Sequence, residues 1–282
     1  MTHSHSAPRE PHLQDLPVTV WPTAQEADRL QWRGRYVPGS GTSGQLLPAI
    51  ARHAITTFTR PGDLVADPLC GTGATLVEAV HTGRNALGVE PDHRRAELAQ
   101  ANLALATQLG ATGTGRVVHG DTGAALAELA TGHHGAAALL LARPRLGPDL
   151  NELDRDLAGL ARVLRKARPL LRPGATIVLV CRAIRRGAEL VDLPSMTLHA
   201  AINAGLDPVA RCVALLTGMR HGHLVSRVPR RHAEQVCELR ARGVAAAVIA
   251  HADILILQAP APNVPAEQTH PAHTAPADRR SR

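Results

Sequence analysis

The 282-residue sequence is poor in aromatic residues, with two tryptophans, one tyrosine and one phenylalanine. None of them follows Phe58, so chemistry that needs an aromatic platform beyond that point has only histidine rings to use. The core must be built from aliphatic side chains. Because 44% of the residues are hydrophobic, that core can still be sizeable, which excludes wholesale disorder.

Cysteine pairs and long apolar runs are also missing. The isolated cysteines are Cys70, Cys181, Cys212 and Cys237. With no Cys-x-x-Cys pair, they argue against a zinc site or a disulfide framework. Apolar runs such as Val244–Ala250 fall far short of the roughly 18 residues that a bilayer span needs. The N-terminal residues show no apolar secretory signal. These absences predict a cytoplasmic protein with no membrane partner and no bound metal.

Polar segments flank a central region in which predicted strands alternate with predicted helices. Residues 1–20 predict a flexible arm, and residues 259–282, rich in Pro, Ala and His, predict a disordered tail. Between them, buried strands are predicted at Leu64–Ala66, Ala86–Val89, Arg116–His119, Ala137–Leu141, Thr176–Cys181, Val209–Leu216 and Asp253–Leu257. Helical spacing occurs at Gln45–Phe58, Thr75–His81, His93–Leu109, Ala124–Ala130, Leu153–Leu171 and Met196–Ala204. The pattern predicts one α/β domain over residues 21–258, with a seven-stranded, mostly parallel sheet, an antiparallel final strand pair and helices on both faces.

A glycine-bearing turn joins the first predicted strand to the next helix and reads DPLCGTGAT from Asp67 to Thr75. Its glycines let the backbone approach a ligand, and the helix N-terminus faces that ligand. Leu76 stands where a dinucleotide-binding turn has its third glycine. Asp67 at the strand end would repel a pyrophosphate but suits a cation. S-adenosylmethionine carries an ammonium and a sulfonium and no phosphate.

Acidic residues end three consecutive predicted strands: Asp67, Glu90 and Asp121. Glu90 suits two ribose hydroxyls, and Asp121 suits an adenine amino group. Each acid taken alone is also explained as a surface carboxylate at a helix N-cap. Together they predict an S-adenosylmethionine site whose cofactor-binding residues are Asp67, Pro68, Cys70, Gly71, Gly73, Thr75, Glu90 and Asp121.

Three segments resemble motifs of the amino-group DNA methyltransferases, which methylate cytosine N4 or adenine N6. DPLCGTGATLVEA resembles their cofactor turn, GRNALGVE their second motif, and Ser43–Ala51 the additional cofactor motif that precedes the turn. The resemblance covers about residues 30–145. It implies a Rossmann-like methyltransferase fold, S-adenosylmethionine as cofactor, DNA as partner, and DNA methylation at an exocyclic amino group as the reaction.

The catalytic tetrapeptide that the resemblance implies, (D/N/S)PP(Y/F), ends the fourth predicted strand. Here it reads Ala142, Arg143, Pro144 and Arg145. Ala142 has no side-chain acceptor, and Arg145 replaces the aromatic residue that stacks on a flipped base. This degenerate loop predicts a methyltransferase of reduced activity. Two alternatives stay open: an inactive methyltransferase-fold protein that binds cofactor or nucleic acid, and an RNA methyltransferase acting on guanine N2 of transfer RNA.

Positive charge in the second half of the chain suggests a nucleic-acid surface. The formal net charge is +7, and Lys166 is the only lysine. The predicted nucleic-acid-binding residues are Arg182, Arg185, Arg186, Arg230 and Arg231. Arginine donors suit phosphate contacts, although a solvated helix face explains such clusters equally well.

Overall fold

A computed structural model describes residues 16–41, 44–147, 149–182, 184–186, 188–225 and 230–260. In the first half of the chain the elements are β1 (Val20–Trp21), α1 (Asp28–Trp32), α2 (Pro48–Phe58), β2 (Leu64–Asp67), α3 (Ala74–His81), β3 (Asn85–Glu90), α4 (His93–Gln108), β4 (Gly115–His119), α5 (Thr122–His133) and β5 (Ala137–Ala142). There follow α6 (Leu150–Ala167), β6 (Leu171–Cys181), β7 (Ile184–Arg186), β8 (Glu189–Val191), α7 (Leu193–Asn203), β9 (Asp207–Leu215), β10 (Gly218–Arg220), β11 (His223–Val225), α8 (Arg230–Ala241) and β12 (His251–Gln258).

The main sheet runs in the order β1-β9-β12-β6-β5-β2-β3-β4. Only β12 is antiparallel to its neighbours, β6 and β9, so the predicted mostly parallel sheet and its antiparallel final pair are confirmed. The predicted strand number of seven is wrong, because β1 adds an eighth strand beside β9. That strand has two residues, too few to show an alternating pattern.

Helices cover both faces of the sheet. One buried apolar cluster joins α2, α3 and α4 to the sheet, and another joins α5, α6 and α7 to the opposite face. Strand β5 contributes to both, because successive side chains of a strand point to opposite faces. Leu139 and Leu141 face the first cluster, whereas Leu140 and Ala142 face the second.

Several predicted boundaries differ from the structure. The helix predicted to reach Leu171 ends at Ala167, and a short 3-10 turn over Arg168–Leu170 leads directly into β6. Pro169 in that turn has no N–H for a continuing helix. α2 begins at Pro48 rather than Gln45, since proline is well suited to the first helical position. Helix α8 had no predicted counterpart.

Two described positions near the chain ends differ from the predicted arm and tail. Residues 1–15 and 261–282 lie outside the described residues. Val20, predicted as part of the arm, pairs with Val213 in the sheet. Ala259, predicted as the first residue of the tail, donates its N–H to the carbonyl of Ala175 at 2.9 Å. No helix in the described part of the chain is long and apolar enough to cross a membrane.

Candidate cofactor and substrate site

The structure places all three predicted acids at one edge of the sheet, after the neighbouring parallel strands β2, β3 and β4. Strands β2 and β3 are parallel neighbours, with Asp67 in register with Gly88, and they end at Asp67 and Glu90. Each of these acids is only 3% exposed. The carboxylates are close enough for the charge of Glu90 to raise the pKa of Asp67. In open parallel sheets, ligands bind at the carboxyl ends of the strands.

The turn after β2 needs its two predicted glycines. Gly71 (φ +58°) and Gly73 (φ +87°) both adopt left-handed backbone conformations. A Cβ at Gly71 would lie 2.5 Å from Oε1 of Gln45, and one at Gly73 would lie 3.1 Å from Cβ of Ala99. Gly73 is the N-cap of α3. The first backbone N–H groups of that helix, which have no acceptor within the helix, therefore lie next to the turn. Pro68 and Cys70 are both buried in this turn.

Asp67 is held by two hydrogen bonds from its own turn and helix. Thr75 Oγ1 donates to Oδ2 at 2.6 Å, and the Leu69 N–H donates to Oδ1 at 3.0 Å. Burial raises the pKa of Asp67 to about 7, and the charge of Glu90 adds to that rise. Burial also raises the pKa of the Cys70 thiol, which therefore stays protonated and serves packing. A cation beside Asp67 would favour the ionised carboxylate.

Glu90 is tied to the turn and to an arginine that the sequence reasoning missed. The Gly71 N–H donates to Oε2 at 2.9 Å, which fixes the turn against the end of β3. The Asp92 N–H donates to Oε1 at 3.0 Å, and Arg95 forms an ion pair with the same oxygen at 2.7 Å. Only one of these bonds uses Oε2, so that oxygen keeps acceptor capacity for a ligand hydroxyl.

Charge at this edge fits a cationic cofactor. Among the residues that the structure describes, Arg95 is the one cation ion-paired with Asp67 or Glu90. Two buried carboxylates against one arginine leave a net negative site, which suits an ammonium and a sulfonium. Asp121 has a different role from Asp67 and Glu90. It is exposed and caps α5 by accepting the Ala124 N–H at 2.9 Å, as the N-cap alternative predicted.

A buried amide that the sequence reasoning also missed positions the turn. Asn102 of α4 donates from Nδ2 to Ser40 Oγ and to the Thr72 carbonyl, both at 2.8 Å. Its Oδ1 accepts the Val37 N–H at 2.7 Å. Thr72 Oγ1 in turn donates to the Ser40 carbonyl at 3.0 Å. The signal was a polar residue on the buried, alanine-rich side of α4.

The degenerate tetrapeptide begins at Ala142, the last residue of β5, and its other three residues line a cavity. Ala142 is fully buried in the apolar layer and offers no side-chain acceptor. Arg143 donates from Nη1 to the Gly44 carbonyl. Pro144 is buried, and Arg145 is exposed. A cavity of about 340 Å³ is lined by Gly44, Arg143, Pro144, Arg145, Leu146, Val180, Cys181, Arg182, Ile184 and Leu193.

Arg182 is the only one of the five predicted nucleic-acid-binding arginines that lines this cavity. Arg185 and Arg186 lie in β7, where Arg185 donates to the Ala188 carbonyl at 3.2 Å. Arg230 pairs with Glu234 within α8 at 2.7 Å, and Arg231 is exposed on the same helix. Within the described ranges, no group of three His, Cys, Asp or Glu residues is placed to hold a metal ion.

The raised pKa of Asp67 predicts that cofactor affinity depends on pH. A cationic ligand lowers this pKa, so binding releases the Asp67 proton and the dissociation constant falls as pH rises towards 7 and beyond. Below pH 7 the change approaches about tenfold per pH unit, and it levels off above pH 8. Titration calorimetry with S-adenosylmethionine at pH 6 and pH 8 measures it.

The control for this pH dependence is Asp67→Asn, which removes the carboxyl but keeps any titration of the ligand's own ammonium. The variant should bind more weakly and with a flatter pH profile. Equal dissociation constants at pH 6 and pH 8 in the unmodified protein would contradict the assignment of Asp67.

Comparison with known proteins points to one family. Residues 9–101 match the family model described as DNA methylase. The Type II methyltransferase M.MthZI of Methanothermobacter thermautotrophicus is 37% identical over 54 residues, which cover 19% of this chain and 15% of that relative. The chain therefore matches only a small part of the relative's length. The matched family segment ends well before the Ala142–Arg145 loop.

The fold is similar to that of a solved methyltransferase-fold structure, TrmN. TrmN from Thermus thermophilus superposes with a TM-score of 0.51 at 20% identity, covering 82% of this chain and 53% of TrmN. The precorrin 8W decarboxylase of Methanobacterium thermoautotrophicum gives a TM-score of 0.49 at 15% identity, covering 79% of this chain and 96% of that one. The family-model match includes Asp67, the glycine turn and Glu90. Over residues 9–101 the chain is therefore similar to the DNA methylase family, and this similarity supports S-adenosylmethionine as its cofactor.

Proposed function

We propose that this S-adenosylmethionine-dependent methyltransferase acts on an exocyclic amino group of a nucleic-acid base, with DNA as its substrate. The observation that carries the proposal is the position of the arginine-lined cavity. The cavity opens at the carboxyl ends of β5 and β6, and β5 is the parallel neighbour of β2, which ends at Asp67. A polyanion bound there lies beside the cofactor edge. The DNA methylase match favours DNA over RNA.

The chain's own residues supply binding and positioning. When bound, S-adenosylmethionine supplies an activated methyl group that a target nitrogen takes by direct displacement. Asp67 in its ionised form neutralises positive charge on the cofactor, and Glu90 holds the Gly71 backbone while keeping acceptor capacity on Oε2. The loop after β5 faces the substrate cavity but offers only backbone carbonyls as acceptors at Ala142. The target amino group therefore receives little help in directing its lone pair.

A second candidate function follows from the same loop. The missing acceptor at Ala142 and the arginine at position 145 favour a protein that binds cofactor and nucleic acid without transferring the methyl group. Binding needs only the Asp67–Glu90 edge and the arginines. Transfer needs the amino group to be positioned as well.

A methyl-transfer assay separates these functions. The protein is incubated with tritiated S-adenosylmethionine and with either duplex DNA or transfer RNA, and the modified nucleosides are identified after digestion. We expect slow labelling of DNA as N4-methylcytosine or N6-methyladenine. Labelling of RNA alone would contradict the DNA assignment. Binding of both ligands with no label in either nucleic acid would favour the second candidate.

A further inference from the structure

The cavity after β5 gathers three guanidinium groups from two neighbouring strands. Arg143 and Arg145 follow β5, Arg182 follows β6, and these strands are parallel, with Ala142 in register with Leu179. The parallel register places the two strand ends at one edge of the sheet. Arg143 also donates a hydrogen bond to the carbonyl of Gly44, which lines the same cavity.

These charges are not balanced by acids of the cavity. In the part of the chain that the structure describes, no carboxylate forms an ion pair with Arg143, Arg145 or Arg182. Burial, Arg182 and Arg145 lower the pKa of Arg143 to about 10, so it still carries its charge at neutral pH. Burial raises the pKa of Cys181 to about 11, so its thiol adds no negative charge.

Acids whose charge reaches the cavity have other partners. The charge of Asp92 reaches Arg145, but Asp92 is ion-paired with Arg95 at 3.8 Å and caps α4 by accepting the Arg95 N–H at 3.0 Å. The charge of Asp253 reaches Cys181, but Asp253 is ion-paired with Arg211 at 2.8 Å. Asp192 caps α7 by accepting the Ser195 N–H at 3.2 Å. Three like charges held in one cavity repel each other, and an anionic ligand is what relieves that repulsion.

The walls of the cavity offer no aromatic surface on which a base could stack. Its lining residues contain no Phe, Tyr or Trp, and their apolar members are aliphatic. Base stacking on an aromatic ring is therefore not available. A volume of about 340 Å³ lies at the small end of the range for ligand pockets, which is roughly 300–1,000 Å³. Guanidinium groups match the geometry of phosphate oxygens, to which they donate two bonds at a time.

We infer that Arg143, Arg145 and Arg182 form a phosphate-binding site, which holds a phosphate group of the substrate beside the cofactor edge. This inference rests on the proposed function for its place in the reaction, because it names which part of the substrate enters the cavity. The phosphate can belong to a polynucleotide backbone or to a small phosphorylated molecule, and the test distinguishes these two sources.

The test is a titration of the full-length protein with inorganic pyrophosphate at low ionic strength, in the absence of cofactor. We expect saturable binding that weakens about tenfold or more in Arg182→Gln and in Arg145→Gln, since each loses a charge-assisted hydrogen bond. Arg162→Gln, an exposed arginine on α6 outside the cavity, is the matched control and should bind as the unmodified protein does. Circular dichroism of each variant verifies that it is folded.

The result that overturns the inference is an equal pyrophosphate affinity in Arg182→Gln, Arg145→Gln and the control, or no saturable binding to the unmodified protein. Competition with a ten-nucleotide single strand then assigns the source. Displacement of the strand by pyrophosphate supports a backbone phosphate, and simultaneous binding supports a small phosphorylated molecule. Failure of the proposed function is seen separately, because pyrophosphate binding requires neither S-adenosylmethionine nor methyl transfer.

Discussion

Restoring the catalytic loop should raise methyl transfer to DNA by about a thousandfold. The triple variant Ala142→Ser, Arg143→Pro and Arg145→Tyr rebuilds a Ser-Pro-Pro-Tyr loop around the existing Pro144. A side-chain acceptor for the amino group contributes about 2–3 kcal/mol. Stacking of the base on a tyrosine contributes about 1–3 kcal/mol more. A combined gain of about 4 kcal/mol corresponds to three orders of magnitude in rate. Single-turnover transfer of tritiated methyl at saturating DNA measures it, so that weaker phosphate binding without Arg143 and Arg145 does not enter the rate.

A matched control keeps Ala142 and changes only the two arginines. This double variant removes two cations and adds the ring, so its difference from the triple variant isolates the acceptor. Ordinary turnover of DNA by the unmodified protein, about 1 per second or faster, would show that our interpretation of the loop is wrong. A triple variant that binds cofactor and stays inert would show that the loss of function extends beyond these residues.

Removing the carboxylate of Glu78 should cost about 3–5 kcal/mol of folding free energy. Glu78 of α3 is fully buried and accepts hydrogen bonds from Arg35 at 3.2 Å, from the Tyr36 hydroxyl at 2.8 Å and from Arg52 Nε at 2.7 Å. Glu78→Ala leaves two guanidinium groups and a phenol without their acceptor. Urea unfolding followed by circular dichroism measures the loss.

An exposed ion pair of similar length provides the control for Glu78. Glu128 accepts from Arg116 at 2.7 Å, and both side chains are more than half exposed. Glu128→Ala should cost less than about 1 kcal/mol, because solvent screens the pair. Equal losses of folding free energy in the two variants would show that Glu78 does not stabilise the packing of the N-terminal segment and α2 against α3.

The cofactor edge could be predicted because its signal is local in the sequence. Asp67, Gly71 and Gly73 lie within a few residues of one another, and Glu90 ends the next strand. A strand, a turn and a helix in succession account for the positive φ values of the glycines. They also account for the burial of the two acids and for their closeness to each other. The ion pair of Arg95 with Glu90 is almost as local in the sequence. However, the first turn of α4 holds several charged residues, and the sequence does not indicate which of them contacts Glu90.

Other parts of the site depend on contacts between distant segments. Asn102 joins Ser40 to Thr72, and Glu78 joins Arg35 to Arg52, across separations that no periodic pattern encodes. The strand β1 is likewise defined only by its partner β9.

The cavity shows a third limit of sequence reasoning. Arg182 was predicted to contact nucleic acid, and Arg143 and Arg145 were predicted as the degenerate catalytic loop. The order of the strands in the sheet places β6 beside β5 and unites the two groups in one cavity. Neither the spacing nor the composition of the sequence indicates that β6, rather than another strand, lies beside β5.

Titration of S-adenosylmethionine into the unmodified protein and into Glu90→Ala tests whether Glu90 lies in the cofactor site. We expect one site per chain and a binding free energy about 1.5–3 kcal/mol weaker in the variant, because Glu90 holds the turn and accepts from the ligand. Glu97→Ala, an exposed position on α4, should bind as the unmodified protein does. No binding to the unmodified protein, or equal binding to a folded Glu90→Ala variant, would show that the cofactor does not bind at Glu90.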